Sequence, residues 1–506
     1  MPVCHIAFRT DASSEIGTGH FMRCLTLADE LRKTGAEIRF ICRELPAHLA
    51  EMLTEKGISH FPLTGEPPAP HASNLAHSHW LWTDQEHDAQ VCLQALEGQT
   101  WDWVVVDHYA LDHRWESRMR IAASKIMVID DLADRRHECD LLLDQNYYID
   151  MDERYRDKVS EDCRLLLGPR YALLREEFRA LRKQDVPRSG DIRRILVFFG
   201  GIDADNFTGQ AIQALVRLNL KALHVDVVIG ARHPQLSDIK NSCIAAGFTC
   251  HVQTPHMAEL MATADLAIGA GGIATWERCC LGLPTLAFSV AENQRAQIRD
   301  AAEIGLLLTA NVSADIPSAI CRQISALIDN PILLRLTSRT ASAQVDGKGS
   351  LRILTALGAN NIHIRRATIA DARNLFDWRN HPDIRAVSYS HAELDWPSHL
   401  QWVEQTLQRA DRELLIGELD GRALGVVRFD FQDITAEVSI YLVPDAGFSG
   451  QGRNLLLAAE HWMRIHHPKI GRVAASVLGD NMPSQGLFLG AGYKMQDIHY
   501  IKELQD

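Results

Sequence analysis

The 506-residue sequence lacks the features of several large protein classes. No apolar run reaches the ~18 residues of a membrane span, and the start, MPVCHIAFRTD, lacks a charged segment followed by an apolar one. The formal net charge of -13 argues against nonspecific binding of nucleic acid or of anionic membranes, because such binding depends on a basic surface. We expect a cytoplasmic protein with neither kind of partner.

The sequence also has no CxxC pair among its eleven cysteines. Cys279 and Cys280 are adjacent, and in a reducing compartment we expect buried thiols, without a disulfide framework or zinc site. His71, His77 and His79 lie in the Pro-rich segment TGEPPAPHASNLAHSHWLWTD, and their spacing fits no common metal site on one helix face. A solvated loop is favoured over the alternative of a metal site, no metal is expected, and the loop could serve as a mobile flap over substrate.

What the sequence does contain is a strand, loop and helix at its start. An apolar strand at 6–8 leads to Gly17 and Gly19, and a helix begins near His20 with apolar residues at helical spacing. Such a loop presents unpaired N–H groups and the positive end of a helix dipole, which suits a phosphate or diphosphate. Short glycine turns also serve simple strand-to-helix packing, and the loop alone does not separate the two interpretations.

Carboxylates follow two further apolar strands. Asp107 ends the strand at 103–106, and Asp130 and Asp131 end the strand at 126–129. Doubly wound sheets bind ligands at the carboxyl ends of their strands, so these side chains are candidates for a site. The alternative is that they cap loops or helices.

A second strand-and-glycine opening, RILVFFGGIDADN, follows a polar stretch at 183–191. Two Rossmann-like openings about one domain length apart predict an α/β fold with two such domains, 1–188 and 189–357, that face one cleft.

In the second of these domains a strand at 266–268 leads to the loop Gly269–Gly272 and a helix that contains Glu277. The helix start suits a diphosphate, and a carboxylate one turn in could accept both ribose hydroxyls. The alternative is that Glu277 is a solvated helix residue.

From Ile362 the pattern changes to an α+β domain at 362–506. A hairpin is predicted with Asp420 and Gly421 at its turn, followed by an alternating strand, AEVSIYLVPD, and a glycine loop that enters a helix.

The first region resembles the pseudaminic-acid pathway UDP-sugar hydrolases, relatives of the GT-B glycosyltransferases. The likeness begins at Arg9-Thr10-Asp11-Ala12 and Ile16-Gly17-Thr18-Gly19-His20 with Arg23-Cys24, and covers about the first 355 residues. It continues through Asp107-His108-Tyr109, Asp130-Asp131, Asp144-Gln145-Asn146, Gly168-Pro169-Arg170-Tyr171 with Arg175, Gly200-Gly201-Ile202-Asp203, Gly271-Gly272 and Glu292-Asn293-Gln294.

This resemblance implies metal-free removal of UDP from UDP-2,4-diacetamido-2,4,6-trideoxy-β-L-altropyranose, with His20 at the position of the catalytic histidine. A neutral imidazole at a helix start could take the proton of the attacking water. Asp11 is expected to orient His20, and N–H groups at Gly271 and Gly272 to stabilise the departing UDP. The implied substrate-binding residues are Arg9, Gly17, Gly19, Asp107, Tyr109, Tyr171, Gly201, Gly271, Gly272, Glu277, Asn293 and Gln294.

The 362–506 region resembles the GNAT acyltransferases, which implies acetyl-CoA as cosubstrate. The implied cofactor-binding residues are Ile440, Leu442, Ser449, Gly450, Gln451, Gly452, Arg453 and Asn481. Two positions depart from the family: Gly447 replaces a basic or glutamine residue, and Phe488 replaces the tyrosine that protonates the departing thiolate. The acid therefore stays open among Tyr441, Tyr493 and water. Glu437 is the expected base or water-positioning residue, unless it merely faces solvent.

The fusion predicts a bifunctional enzyme that N-acetylates the 4-amino group of a UDP-4-amino sugar and then removes UDP. UDP-linked amino sugars are the expected partners, with contacts to neighbouring pathway enzymes as a further expectation. Two alternatives stay open: a GT-B glycosyltransferase whose GNAT domain has another specificity, and a non-catalytic nucleotide-sugar sensor.

Overall fold

The computed structural model divides into two compact units, Met1–Ala359 and Asn360–Asp506. It describes residues 4–63, 74–182, 188–220, 223–292, 294–310, 315–358, 362–388, 390–419, 422–448, 450–479 and 481–495. Five residues named in the sequence predictions lie outside these ranges: His71, Asn293, Asp420, Gly421 and Ser449.

The first half of the first unit is built on a parallel sheet with the strand order β3-β2-β1-β4-β5-β6-β7. Its strands are β1 (His5–Thr10), β2 (Glu37–Cys42), β3 (Ser59–Pro62), β4 (Trp101–Asp107), β5 (Ala123–Ile129), β6 (Leu141–Asp144) and β7 (Arg164–Leu167). Its helices are α1 (Gly19–Lys33), α2 (Ala47–Glu55), α3 (Gln85–Ala95), α4 (His113–Met119) and α5 (Glu176–Leu181), with 3-10 turns at Ser78–Leu81 and Pro169–Tyr171.

The second half has its own parallel sheet, with the order β10-β9-β8-β11-β12-β13. Its strands are β8 (Arg194–Phe198), β9 (His224–Ile229), β10 (Thr249–Val252), β11 (Leu266–Ala270), β12 (Thr285–Phe288) and β13 (Leu308–Thr309). The helices are α6 (Phe207–Leu218), α7 (Leu236–Ala246), α8 (Met257–Thr263), α9 (Ile273–Cys280), α10 (Gln294–Glu303), α11 (Ile316–Ile328), α12 (Pro331–Gln344) and α13 (Gly349–Leu357).

The central strands of both sheets are buried on both faces, as parallel strands covered by helices must be. Val104, Val105 and Val106 of β4 are at most 1% exposed, which explains why this strand reads as a continuous apolar run. The expected α/β fold with two Rossmann-like halves is confirmed. Cys279 and Cys280 are buried free thiols, as expected.

The halves exchange helices, which corrects the predicted boundaries at 188 and 357. Ile353, Leu354 and Leu357 of α13 pack in the core of the first half, and Trp103 Nε1 donates to the Leu357 carbonyl at 3.0 Å. Conversely, Phe178 of α5 packs in a core of the second half. Each half is therefore completed by a helix that the sequence analysis assigned to the other.

The second unit is built on a sheet with the order β14-β15-β16-β17-β18. Its strands are β14 (His363–Arg366), β15 (Arg412–Leu419), β16 (Arg422–Gln432), β17 (Thr435–Leu442) and β18 (Arg472–Ala474). Its helices are α14 (Ala372–Asn380), α15 (Pro382–Ala386), α16 (Trp396–Gln408), α17 (Gly452–His466) and α18 (Met482–Gly490), with a 3-10 turn at Ile369–Asp371.

Neighbouring strands of this sheet are antiparallel up to β17, whereas β17 and β18 are parallel. The β17–β18 pairing runs from Thr435 and Arg472 to Glu437 and Ala474. Beyond that pair, residues 438–441 within β17 and residues 476–478 after β18 line a cavity, so the two strands separate where a ligand can enter the sheet.

Within the described residues, no helix is long and apolar enough to cross a membrane.

Candidate active sites

His20 is the second residue of α1 and is 8% exposed. The loop before it is closed by a hydrogen bond from Gly17 N–H to the Ser13 carbonyl at 2.9 Å. Gly17 has a φ of +78°, a left-handed conformation that side chains with a Cβ rarely adopt, so the turn requires glycine there. The sequence thus fixes His20 at the start of a helix that covers the sheet.

Asp107 at the end of β4 determines which nitrogen of His20 is free. His20 donates from Nδ1 to Asp107 Oδ1 at 2.5 Å, while Arg23 donates to both carboxylate oxygens, from Nε at 2.6 Å and Nη2 at 2.7 Å. Because an ionised carboxylate only accepts, the neutral form of His20 carries its proton on Nδ1 and its lone pair on Nε2. Burial raises the pKa of Asp107, but Arg23 and His20 outweigh burial and hold that pKa well below its ordinary value.

Two predictions about this cluster are wrong. Asp11 was expected to orient His20 and Asp107 to bind substrate, whereas Asp107 is fully buried and performs the orienting role. Asp11 instead accepts from Arg9 at 2.7 Å and from the Arg43 N–H at 2.7 Å, and its Oδ2 lies 3.1 Å from His108 Nε2.

Arg9 was also expected to bind substrate, but it is fully buried between Asp11 and Asp88, with Arg9 Nη2 2.9 Å from Asp88 Oδ2. Strand alternation explains these positions. Phe8 packs in the core that contains α1, whereas Ala7 packs in the core on the other face, so Arg9 points away from His20.

Tyr109 and Asp131 extend the hydrogen-bonded group around His20. The Tyr109 ring lies edge-on to the His20 ring with centroids 4.5 Å apart, and its hydroxyl donates to Asp131 Oδ1. Arg23 Nη1 donates to Asp131 Oδ2 at 3.0 Å, so one guanidinium joins both carboxylates. Burial and the charge of Asp131 raise the pKa of Tyr109, which keeps the phenol protonated.

Asn146 connects this group to the second half of the unit. Its Nδ2 donates to Asp131 Oδ2 at 3.2 Å, and its Oδ1 accepts from Trp276 Nε1 at 2.9 Å and Gln297 Nε2 at 3.1 Å. Trp276 belongs to α9 and Gln297 to α10, so the position of α9 is tied to the histidine through buried hydrogen bonds.

The starts of α1 and α9 face each other across the cleft. Ile273 is the first residue of α9, and a Cβ built on Gly19 would lie 3.4 Å from its Cδ1 atom. Gly272 precedes α9 with a φ of +89°. The Thr275 N–H of the first turn donates to the Gly272 carbonyl at 3.0 Å, so the N–H groups of Ile273 and Ala274 are the ones at this helix start that can face a ligand. The Gly271 N–H, however, donates to the Phe288 carbonyl at 3.3 Å, which corrects its expected role as a free donor for UDP.

Gln294 lies beside this helix start, and its contact with a ligand stays a prediction. Its Oε1 accepts from the Val290 N–H at 3.2 Å, and its Nε2 lies 3.8 Å from the position that a Cβ on Gly272 would take. Glu277, one turn into α9, has Oε1 3.6 Å from Arg175 Nη2, and burial raises the pKa of Glu277 despite that arginine.

Tyr171 and Gly201 occupy other parts of the unit. Tyr171 packs against the core of the first half, and Gly201 is exposed after β8. The Gly201 carbonyl oxygen lies 2.0 Å from where a Cβ on Gly230 would be, so the backbone there requires glycine at 230. A role for Tyr171 and Gly201 in substrate binding stays a prediction.

Four side chains at the histidine site are absent from the predicted catalytic and substrate-binding set: Arg23, Trp80, Asp131 and Asn146. Arg23 is three residues from His20 on one helix, a spacing that places both on one face and could have revealed it. Asp131 follows a strand end, which the sequence analysis noted. Asn146 belongs to the Asp144-Gln145-Asn146 motif of the family resemblance, but its partners are distant in sequence, and the local sequence around Trp80 gives no signal of its contacts.

The second unit contains a cavity of about 550 Å³ between β17 and the segment after β18. Its lining includes Glu437, Tyr441, Asn481 and Phe488, together with Ile440, which was predicted to line the cofactor. Ile440 and Leu442 both pack against the core of this unit, but Leu442 is not among the residues that line the cavity.

The chemistry of the cavity rests on a carboxylate and a phenol. Glu437 is exposed, lines the cavity and accepts from Ser476 Oγ at 2.8 Å. Burial raises the pKa of Tyr441, although Arg379 and Arg428 act in the opposite direction, so its hydroxyl stays protonated. The Tyr493 hydroxyl donates to Glu460 at 2.6 Å, which favours Tyr441 over Tyr493 as the acid.

The glycine loop before α17 has the form expected of a pyrophosphate cradle. Gly450 has a φ of +85° with no atom within 4 Å of a built Cβ, while a Cβ on Gly452 would lie 2.6 Å from Leu487 Cδ1. Gln451 precedes the 15-residue helix α17, and the buried Nε of Arg453 has no hydrogen-bond partner among the described residues. These features fit an anionic cofactor group.

Two other cofactor positions have structural explanations. Gly447 has a φ of +75°, which accounts for glycine where the family has a basic residue or glutamine. Asn481 Oδ1 caps α18 by accepting the Ser484 N–H at 3.1 Å, and its Nδ2 donates to the Val387 carbonyl at 3.4 Å beside the cavity.

Across the described ranges, no group of three His, Cys, Asp or Glu side chains is arranged to hold a metal ion.

Comparison with known proteins gives a family match for the second unit and one relative that matches nearly the whole chain. Residues 361–494 match the acetyltransferase (GNAT) domain family. An uncharacterized protein of Methanocaldococcus jannaschii is 24% identical over 515 residues, which cover 97% of this chain and 96% of the relative.

Two further relatives match only part of the chain. The UDP-2,4-diacetamido-2,4,6-trideoxy-β-L-altropyranose hydrolase of Campylobacter jejuni is 24% identical over 236 residues, 46% of this chain and 73% of the hydrolase. The spore coat polysaccharide biosynthesis protein SpsG of Bacillus subtilis is 30% identical over 209 residues, 41% of this chain and 61% of SpsG.

Among solved structures, the glycotransferase of kitacinnamycin aligns with a TM-score of 0.50 and 16% identity. The alignment covers 71% of this chain and 99% of that structure. The likeness establishes a GT-B-like fold.

Proposed function

From a chain that joins a region homologous to the UDP-sugar hydrolase family to a GNAT acetyltransferase domain, we propose a bifunctional nucleotide-sugar enzyme. One unit hydrolyses UDP-2,4-diacetamido-2,4,6-trideoxy-β-L-altropyranose to the free sugar and UDP. The other transfers an acetyl group from acetyl-CoA to the 4-amino group of the preceding UDP-4-amino sugar. Both reactions belong to pseudaminic acid biosynthesis.

The single observation that carries the hydrolase proposal is the His20–Asp107 pair at the start of α1. With the proton on Nδ1, Nε2 can accept the proton of a water molecule that attacks the anomeric carbon. Asp107 then stabilises the imidazolium that forms, and Arg23 keeps Asp107 ionised. The C1–O bond breaks, and the electron pair leaves with UDP.

The start of α9 is the proposed diphosphate site. Its first N–H groups and the positive end of the helix favour the charge that develops on departing UDP. The Gln294 amide beside Gly272 adds a donor, and Glu277 is placed to accept ribose hydroxyls once Arg175 gives way. Because Gly19 lies next to Ile273, the water-activating His20 and the diphosphate site at the start of α9 face one cleft.

The acetyltransferase proposal rests on the cavity between the separating strands. Acetyl-CoA supplies the acyl group, with its pyrophosphate at Gly450–Arg453 before α17. Glu437 accepts a proton from the attacking amine, directly or through water, and Ser476 holds that carboxylate in place. Tyr441 lines the same cavity as a protonated phenol and donates from Oη as the thiol leaves.

The decisive experiment supplies the UDP-4-amino sugar and acetyl-CoA and follows products by mass spectrometry. Wild-type protein should yield acetylated free sugar, UDP and CoA. His20→Ala should accumulate the acetylated UDP-sugar, because acetylation continues while hydrolysis stops. Persistent UDP release by His20→Ala near the wild-type rate would refute the assignment of His20.

Gly450→Trp should leave hydrolysis of the diacetamido substrate intact and abolish CoA release, since the indole fills the open space of the cradle. Gly492→Trp is its matched control, with a φ of +91° and the same open surroundings. If UDP is released only when an alcohol acceptor is present, and the sugar then appears as a glycoside, the first unit is a glycosyltransferase instead.

A further inference from the structure

Three aromatic rings, those of His77, Trp80 and Tyr109, pack together next to His20, and we call them the aromatic wall. Trp80 stacks on Tyr109 with centroids 5.5 Å apart and an interplanar angle of 23°. The His77 ring lies 4.4 Å from Trp80 and 5.3 Å from Tyr109. The Trp80 ring is edge-on to His20, with centroids 6.2 Å apart.

The segment that carries Trp80 is fixed to the first half. Leu81 is 1% exposed and packs in one of its cores, and His79 Nε2 lies 2.7 Å from Glu15 Oε1 in the loop before α1. This contact is exposed and contributes little by itself, so the apolar and ring contacts do most of the anchoring. The predicted solvated loop is therefore wrong for His77 and Trp80, although it holds for Trp82, which is 55% exposed.

The wall is uncharged as well as aromatic. Burial lowers the pKa of His77, and Arg135 and His20 act in the same direction against the carboxylate of Asp134. Tyr109 keeps its proton and is committed to Asp131 through its hydroxyl. Half-buried Trp80, the largest ring of the wall, can offer ring surface to a ligand without breaking the hydrogen bond that commits Tyr109.

We propose that the aromatic wall is the subsite for the sugar, and that Trp80 selects sugars with an apolar face, such as deoxy sugars that carry methyl and acetamido groups. The inference deepens the proposed hydrolase function and depends on it for the location of the anomeric carbon at His20. A sugar ring held there lies within reach of the indole, and its C–H bonds and methyl groups bury apolar area against that ring. The nucleotide, held at α9, does not touch the wall.

The test measures binding without turnover. Calorimetry on His20→Ala protein compares the diacetamido UDP-sugar with UDP in three backgrounds: no further change, Trp80→Ala, and Trp82→Ala. We expect Trp80→Ala to weaken the UDP-sugar about tenfold, the loss of one aromatic contact, while UDP binding changes less than twofold. Trp82→Ala, two residues along the same segment, should leave both unchanged.

Two outcomes overturn the proposal: equal UDP-sugar affinity in the Trp80 and Trp82 variants, or equal weakening of UDP and UDP-sugar by Trp80→Ala. Trp80→Phe, which keeps a ring and the fold, provides the second variant. Trp80→Phe should raise the KM for the diacetamido sugar less than Trp80→Ala does. Its preference for the diacetamido sugar over UDP-N-acetylglucosamine, measured as the ratio of kcat/KM values, should be weaker than that of wild type.

The same data separate this inference from the proposed function. If wild-type protein binds the UDP-sugar but releases no UDP, hydrolysis fails as the function while the affinities still decide whether Trp80 binds the sugar.

Discussion

Replacement of Asp107 by asparagine tests the role of the His20–Asp107 pair most directly. Asparagine has the shape of aspartate, but its amide can donate to Nδ1, which would move the imidazole proton to Nε2 and remove the lone pair that accepts from water. We expect kcat to fall by roughly 10²–10⁴-fold, the range for loss of an oriented general base, or about 3–5 kcal/mol in the barrier. KM should change little, because Asp107 is fully buried.

The same substitution lowers the free energy of unfolding, so the kinetic test needs controls for correct folding. Loss of one partner of a buried ion pair costs about 3–5 kcal/mol, and the low end applies because the asparagine oxygen still accepts from Arg23. Thermal unfolding and UDP calorimetry will show whether the variant is native.

Asp131→Asn is the matched control for Asp107→Asn. It also weakens the pairing of Arg23 but does not touch His20, so its kcat should fall far less. The assay is UDP release under saturating diacetamido substrate. A kcat for Asp107→Asn within threefold of wild type, in folded protein, would refute the assignment.

Two further predictions concern other parts of the chain. Tyr441→Phe should lower the rate of CoA release about 10–100-fold while hydrolysis of the diacetamido sugar continues, and an unchanged rate would leave water as the acid. Burial lowers the pKa of His137, but Glu116 and Asp130 outweigh it and raise the pKa to about 9. The resulting stabilisation, about 3 kcal/mol, is complete below roughly pH 6.5 and is lost as pH rises through 9, so the unfolding temperature should fall over that range in wild type and much less in His137→Gln.

Much of this architecture follows from local sequence. The apolar strands, their terminal aspartates and the glycine loops predicted two Rossmann-like halves, because strand and helix periodicities are local properties. The loop predicted the position of His20 at a helix start, whereas its catalytic role is what the resemblance to the UDP-sugar hydrolases implies. The alternation of side chains along β1 and β4 also predicts which aspartate can orient His20. Asp107 shares a sheet face with Trp103 and Val105, in the core that contains α1, whereas Arg9 lies on the opposite face with Ala7.

Other features could not be read in this way. The Asn146 contacts with Trp276 and Gln297 join residues more than 120 positions apart, and an asparagine in a loop gives no sign of its partners. The Gly271 N–H was expected to be free, but its acceptor, the Phe288 carbonyl, belongs to a neighbouring strand end. The packing of Trp80 on Tyr109 likewise depends on the fold of the whole half.

The exchange of α5 and α13 has a consequence for biogenesis. Ile353, Leu354 and Leu357 complete the core of a half whose sheet ends at residue 167, so that sheet leaves the ribosome with part of its apolar surface uncovered. At 5–20 residues per second, the missing helix follows roughly ten to forty seconds later. During synthesis the nascent first half therefore exposes the apolar surface that α13 later covers. A chaperone that binds exposed apolar surface can bind there in that interval.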